Sequence, residues 1–176
     1  EYRVLRTEDD IALMRAMSTS GLVAEVEKKH GPATLPLTDE FRTHVAAHIL
    51  RTEKPDLLLL HLIDLDHDQH EFGPNTAEAH KALETIDELL GRLRKAVKET
   101  GLENDYTWVI VSDHGFRPIS KLFHPNAALN SLGYLNLNIR GELEDWRIWA
   151  RTSGGSFALT ARNPDDTEAI AAATAF

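Results

Sequence analysis

The chain is 176 residues long, 42% hydrophobic and 27% charged, with a formal net charge of −9 and no cysteine. That length and apolar content are enough for a buried core. The acidic balance argues against binding of nucleic acid duplexes, which calls for a basic face, and the missing cysteine excludes disulfides and thiolate zinc sites while leaving the compartment open.

Thr7-Glu-Asp-Asp10, followed by Ile11, Leu13, Met14 and Met17, predicts a capped helix ending between Ser18 and Gly21. Leu22, Val23 and Val26 predict a second short helix that stops at Gly31. Met14 and Met17 read as packing residues, because thioethers suit softer metals than oxygen and nitrogen ligands select. Gly31 to Pro36 is a loop, and Thr38 or Asp39 then caps a third helix through Phe41, Val45, Ala46, Ile49 and Leu50. His44 and His48 share a face of it at a spacing of four. Neither lies at the carboxyl end of a strand, so they read as solvated or partly packed rather than as ligands.

The stretch from Pro55 to Pro74 is the most informative. Leu57 to Leu60, Leu62 and Ile63 make the near-continuous apolar run of a strand buried on both faces of a parallel sheet, with His61 expected as a hydrogen-bonded core residue. Past its end, Asp64 to His70 form a polar loop where open α/β sheets hold ligands. Asp66 and His70, four apart, supply the carboxylate oxygen and imidazole nitrogen of a divalent metal site. Asp64 is a lesser candidate, as a bridging or supporting carboxylate, and His67 and Asp68 either orient ligands or are plain loop residues.

Gly73-Pro74 turns the chain, and Asn75 with Glu78 predicts the cap of a long helix whose apolar positions Leu83, Ile86, Leu90, Leu93 and Val97 fall on one face. A second strand, Tyr106 to Val111, ends in Asp113-His114-Gly115. Strand, helix and strand form a crossover unit whose strands run parallel, so Asp66 and His70 should face the same crevice as Asp113 and His114.

Beyond Phe116 the chain is loop-like to Pro125, with Arg117, Lys121 and His124 as possible neighbours of that crevice. A short helix closed by Gly133 precedes the alternating strand Tyr134 to Ile139, which should be half exposed. Gly154-Gly155 introduces a strand over Ser156 to Ala161, and an alanine-rich helix follows Asn163-Pro-Asp165. No apolar run reaches membrane-spanning length in this segment.

Asp66-x-x-x-His70-x-x-Gly73-Pro74 after an apolar strand, then a helix and a strand ending in Ser112-Asp-His-Gly115, resembles the type I phosphodiesterase and nucleotide pyrophosphatase family of the alkaline phosphatase superfamily. The resemblance implies a single α/β domain over 1–176, with a mostly parallel sheet, flanking helices and a small antiparallel part after residue 133. It further implies part of a catalytic domain that lacks its amino-terminal nucleophile strand and its carboxyl-terminal histidine segment. Two divalent ions, of zinc type, are implied, with Asp66 and His70 on one and Asp113 and His114 on the other. The implied nucleophile is a Thr or Ser outside this stretch; Thr19 and Thr34 are the hydroxyls upstream of the motifs, and neither follows a supporting strand. The substrate is then a small phosphate ester, cleaved as by a phosphodiesterase or nucleotide pyrophosphatase. A phosphomonoesterase, phosphonate hydrolase or mutase of the same superfamily is the alternative within the enzyme class, and a non-catalytic metal-binding or scaffold piece the alternative outside it.

Overall fold

The computed structural model describes residues 7–175, which divide into two compact units between Pro118 and Ile119. The first is helical. It holds α1 (Glu8–Met17), α2 (Leu22–His30), α3 (Asp39–Thr52), α4 (Asp64–Phe72) and α5 (Ala77–Glu99).

The caps explain where the first three helices start and stop. Thr7 accepts from the Asp10 amide while Asp10 accepts from the Thr7 amide, a capping box that satisfies two of the amides a helix start leaves unbonded. Thr38 caps α3 by accepting from Phe41 N. Gly31, at φ 93°, ends α2 in a conformation that a Cβ disfavours. Their apolar faces close on a small core of Ile11, Val23, Val26, Ala33 and Phe41, against which Met14 packs, whereas Met17 lies in solvent.

α3 turns its other face to α5. Ala46, Ala47 and Leu50 meet Leu93, Ala96 and Val97, and Leu58 and Tyr106 pack on the same cluster. The buried stripe of α5 runs through Ala79, Ala82, Leu89, Leu93, Ala96 and Val97. Leu83, expected on that face, is exposed. Small alanines on the contact line let two helices approach closely, and the sequence reading overweighted the larger side chains beside them.

Residues 57–63 and 106–111 form neither helix nor strand and carry no strand ladder, so the mostly parallel sheet is not present among the described residues. Each packs one side on α3 and α5, through Leu58 and Tyr106, and leaves Leu57, Leu59, Val109, Ile110 and Val111 exposed. His61 is likewise exposed rather than a core residue. Apolar runs report which side chains want burial; a ladder also needs a neighbouring backbone in register. Direction is nonetheless fixed. The two segments begin together, where the Tyr106 hydroxyl donates to the Pro55 carbonyl at 2.7 Å, and they end together, where His114 lies 3.6 Å from Asp66.

The second unit contains α6 (Pro125–Ser131), β1 (Leu135–Leu137), β2 (Leu143–Trp146), β3 (Ile148–Ser153), β4 (Ser156–Ala161) and α7 (Thr167–Thr174). Its two sheets are antiparallel pairs, β1 with β2 and β3 with β4, in agreement with the small antiparallel part expected after residue 133. β1 is shorter than the alternation of 134–139 suggests, because a bulge falls between Asn136 and Leu137 and leaves Ile139 fully exposed. Leu129, Leu135, Ile148, Ala150, Ala169 and Ala173 form the core, and Asn126 fastens α6 to β3 by exchanging two hydrogen bonds with the Ala150 backbone.

Arg147 forks onto Asp166 through two bonds of 2.8 Å and reaches Glu168 at 2.8 Å, while Asp166 also caps α7 by accepting from Ala169 N. The guanidinium holds the Asp166 carboxyl below its ordinary range. A depressed folded pKa means that this support is complete above the unfolded value of about 4 and is lost as pH falls through the folded one. Protection of the Ala169 and Ile170 amides, relative to free peptide at the same pH, should therefore fall on acidification below that range in the wild type. In Arg147→Met protection should be low already at neutral pH, and equal acid sensitivity in both would refute the assignment.

Candidate functional site

The polar stretch expected to be a loop is the helix α4. None of its residues is buried, so no apolar stripe announces it, and Ile63 before it offers no capping side chain. Its start is held from elsewhere. Asp39, 1% exposed, accepts from Ile63 N and Asp64 N, both at 2.9 Å, and the Asp39 amide donates back to Asp64 at 3.0 Å. Arg42 adds a 3.1 Å contact to Asp39. The first turn of α4 is thus capped by a carboxylate about two dozen positions earlier in the chain, a link that local sequence patterns do not encode. Asp64, the lesser ligand candidate, is part of this clamp, and burial raises its carboxyl above the ordinary range.

Gly73, at φ 94°, ends α4. The α5 cap is Thr76 rather than Asn75: Thr76 accepts from Ala79 N and donates to Gly73 O, while Asn75 takes the turn conformation at φ 65°. Fixed at both ends, α4 presents Asp66 and His70 one turn apart, with His70 Nε2 3.6 Å from Asp66 Oδ1.

His114, just after residues 106–111, reaches the same carboxylate oxygen, its Nε2 3.6 Å from Asp66 Oδ1 and 3.7 Å from Asp113 Oδ2. The turn around it is self-supporting: Ser112 Oγ donates to the His114 carbonyl, and His114 N donates to Asp113 Oδ1 at 3.0 Å. Phe116 packs against both imidazoles, at 4.7 Å from the His70 ring and 5.3 Å from the His114 ring. The four sequence-selected side chains therefore meet in one place, linked in the order His70, Asp66, His114, Asp113.

Their chemistry suits a cation. His114 Nδ1 lies 3.2 Å from the Gly115 carbonyl; as donor there, it leaves Nε2 as a lone pair facing the Asp66 carboxylate. Separations of 3.6–3.7 Å are too long for hydrogen bonds and close to the roughly 3.4 Å between two ligands bonded tetrahedrally to one zinc. No three of these groups close on a single point, however: among the described residues there is no cluster of three metal donors. The donor types fit a divalent ion, while the shell they form here is partial. Of the other candidates, His67 pairs with Asp68 at 3.2 Å on the exposed side of α4, and Thr34 is exposed in the loop before α3. Arg117 is exposed, and Lys121 and His124 belong to the second unit. The sequence offered Asp39 only as a candidate cap of α3; its clamp on Ile63 and Asp64 spans about two dozen positions and leaves no local signal.

A family described as type I phosphodiesterase / nucleotide pyrophosphatase matches residues 8–174. Among individual proteins, venom phosphodiesterase 2 of Crotalus adamanteus is 34% identical over 70 residues, 40% of this chain and 9% of its own length. Ectonucleotide pyrophosphatase/phosphodiesterase family member 1 of Mus musculus is 36% identical over 63 residues, 36% of this chain and 7% of its own, and its Homo sapiens counterpart is 34% identical over 65 residues, 37% and 7%. The chain thus matches under a tenth of the length of these relatives. No solved structure matches.

Proposed function

The chain belongs to the type I phosphodiesterase/nucleotide pyrophosphatase family, and on that premise we propose that the whole protein is a metal-dependent hydrolase of phosphodiesters or nucleotide pyrophosphates. The observation that carries this reading is the meeting of the two motifs, with imidazole and carboxylate donors from both around Asp66. In this reading Asp66 and His70 hold one divalent ion, and Asp113 and His114 hold the other, both of zinc type. Paired cations, when bound, would polarise a phosphoryl oxygen and offset the negative charge that develops on it.

The residues of this chain fix donors. α4, clamped by Asp39, aims one carboxylate and one imidazole from a rigid helix. Gly115 O sets the His114 tautomer, and Phe116 limits rotation of both rings. The attacking hydroxyl, a Thr or Ser, comes from elsewhere in the whole protein. Substrate enters as a small phosphate ester whose negative charge the ions neutralise, which reconciles an acidic chain with an anionic substrate.

Zinc titration of the whole protein against a chromogenic phosphodiester tests the proposal. Turnover should rise with zinc, vanish with a chelator and exceed turnover of the corresponding phosphomonoester. Silence of the zinc-loaded protein toward both esters would instead favour a non-catalytic metal-binding domain. Phe116→Ala should weaken metal affinity by roughly 10–100-fold, the effect expected when support around ligands is lost. Equilibrium dialysis measures it, and unchanged affinity would remove Phe116 from the site.

A further inference from the structure

A second feature lies in the first unit, apart from the four-residue cluster and independent of how that cluster is read. Between α2, α3 and α5 is a cleft of about 240 Å³ lined by Lys29, Arg51, Arg92 and Lys95, with Glu99 as the single carboxylate in its wall. It adjoins a hollow of about 390 Å³ that shares Lys29, His30 and Arg51 and adds Lys28 with one carboxylate, Glu25. In a chain of net charge −9, such a gathering of cations runs against the average and marks the place where an anion is favoured.

Counterions offset only part of this charge. Arg51 bonds Glu99 at 2.7 Å and Arg92 bonds Glu40; Lys29 and Lys95 act on Glu99 from a distance but make no ion pair among the described residues. Thr43 lines the same cleft, is 1% exposed, and its hydroxyl has no hydrogen-bond partner among the described residues. An unmatched buried hydroxyl is rare, and here it sits in a wall of cations.

His30 and His44 complete the wall, their rings stacked 3.8 Å apart and 15° from parallel. Lys29 and Arg51 stand near the pair as cations, and Glu40 as a carboxylate 3.3 Å from His44 Nε2. Burial, and then the neighbouring His44, lowers the His30 pKa. Charging both rings at once is costly without an added negative charge between or beside them.

We propose that this cleft binds a small multivalent oxyanion of the phosphate class, held by Lys29 and Lys95 and more tightly once His30 and His44 are protonated. The oxyanion supplies the charge that the two lysines lack and relieves the repulsion within the stacked pair. Binding is therefore linked to proton uptake and strengthens as pH falls.

The test is titration of inorganic pyrophosphate into the whole protein, stripped of divalent cations, by calorimetry together with NMR of the His30 and His44 ring signals. The ring signals should move on addition, affinity should be several-fold higher near about pH 6 than near about pH 8, and Lys29→Ala/Lys95→Ala should weaken binding about tenfold or more. Both lysines are exposed, so the double variant retains the fold, and an unchanged circular dichroism spectrum and urea midpoint serve as the control that it does. Ring signals that stay still, or that move equally with sodium chloride at matched ionic strength, overturn the proposal. So does unchanged affinity in the double variant.

Discussion

Asp66→Ala in the whole protein is expected to lower phosphodiester hydrolysis by about 10³-fold, near 4 kcal/mol of transition-state stabilisation. The Asp66 carboxylate faces both imidazoles, each Nε2 at 3.6 Å from the same oxygen. Removing it separates the two motifs as well as deleting a ligand. Asp113 faces only His114, so Asp113→Ala should cost less. Asp66→Asn keeps the shape and removes the charge, and should resemble alanine if the carboxylate works by holding a cation. Because the side chain is 47% exposed, none of these changes should move stability by more than about 0.5 kcal/mol. Hydrolysis of a chromogenic phosphodiester, with bound metal counted by atomic absorption, checks the order. Full metal content and full rate in Asp66→Ala would sink the assignment.

Legibility of the chain from its sequence divides by distance. Thr7 and Thr38 cap the helices that their spacing announces, because a cap and its amides lie within three positions. The meeting expected across more than forty positions is present, His114 lying 3.6 Å from Asp66, but the parallel strands from which it was argued are not: no ladder forms between the segments that lead there. What was not legible is pairing. A helix with no buried residue, α4, leaves no periodic signature, and its polar run reads as loop. The exposed His61 shows the same limit, since an apolar run gives the wish for burial but not the neighbour that grants it. Asn75 looked like a cap by residue type, yet the turn after Gly73 puts it at φ 65° and passes the role to Thr76.

Asp39→Ala is expected to cost about 3–5 kcal/mol, a large share of the stability of a domain of this size. The substitution strips the amides of Ile63 and Asp64 of their acceptor and takes from Arg42 its nearer carboxylate, leaving it the Leu37 carbonyl and Asp64 at 3.9 Å. Both losses count, because the part-buried amides go unpaired and the guanidinium keeps its desolvation cost for a weaker return. Asp39→Asn should fall between, since one oxygen remains while the amide NH2 opposes an N–H that the carboxylate accepted. Urea unfolding should show a lower midpoint at unchanged slope, and amide exchange at Ile63 and Asp64 should speed up before that of the α3–α5 core. Asp64 gives the clamp its own pH signature, opposite in sign to that of Asp166. Its folded pKa lies above the unfolded value, so protonation favours the folded state, and stability from this group grows as pH drops from neutral through the folded pKa. That growth should vanish in Asp64→Asn. If Asp39→Ala instead unfolds at the wild-type midpoint with Ile63 and Asp64 still protected, α4 is held by its own contacts with α5, and the clamp does not position Asp66 and His70.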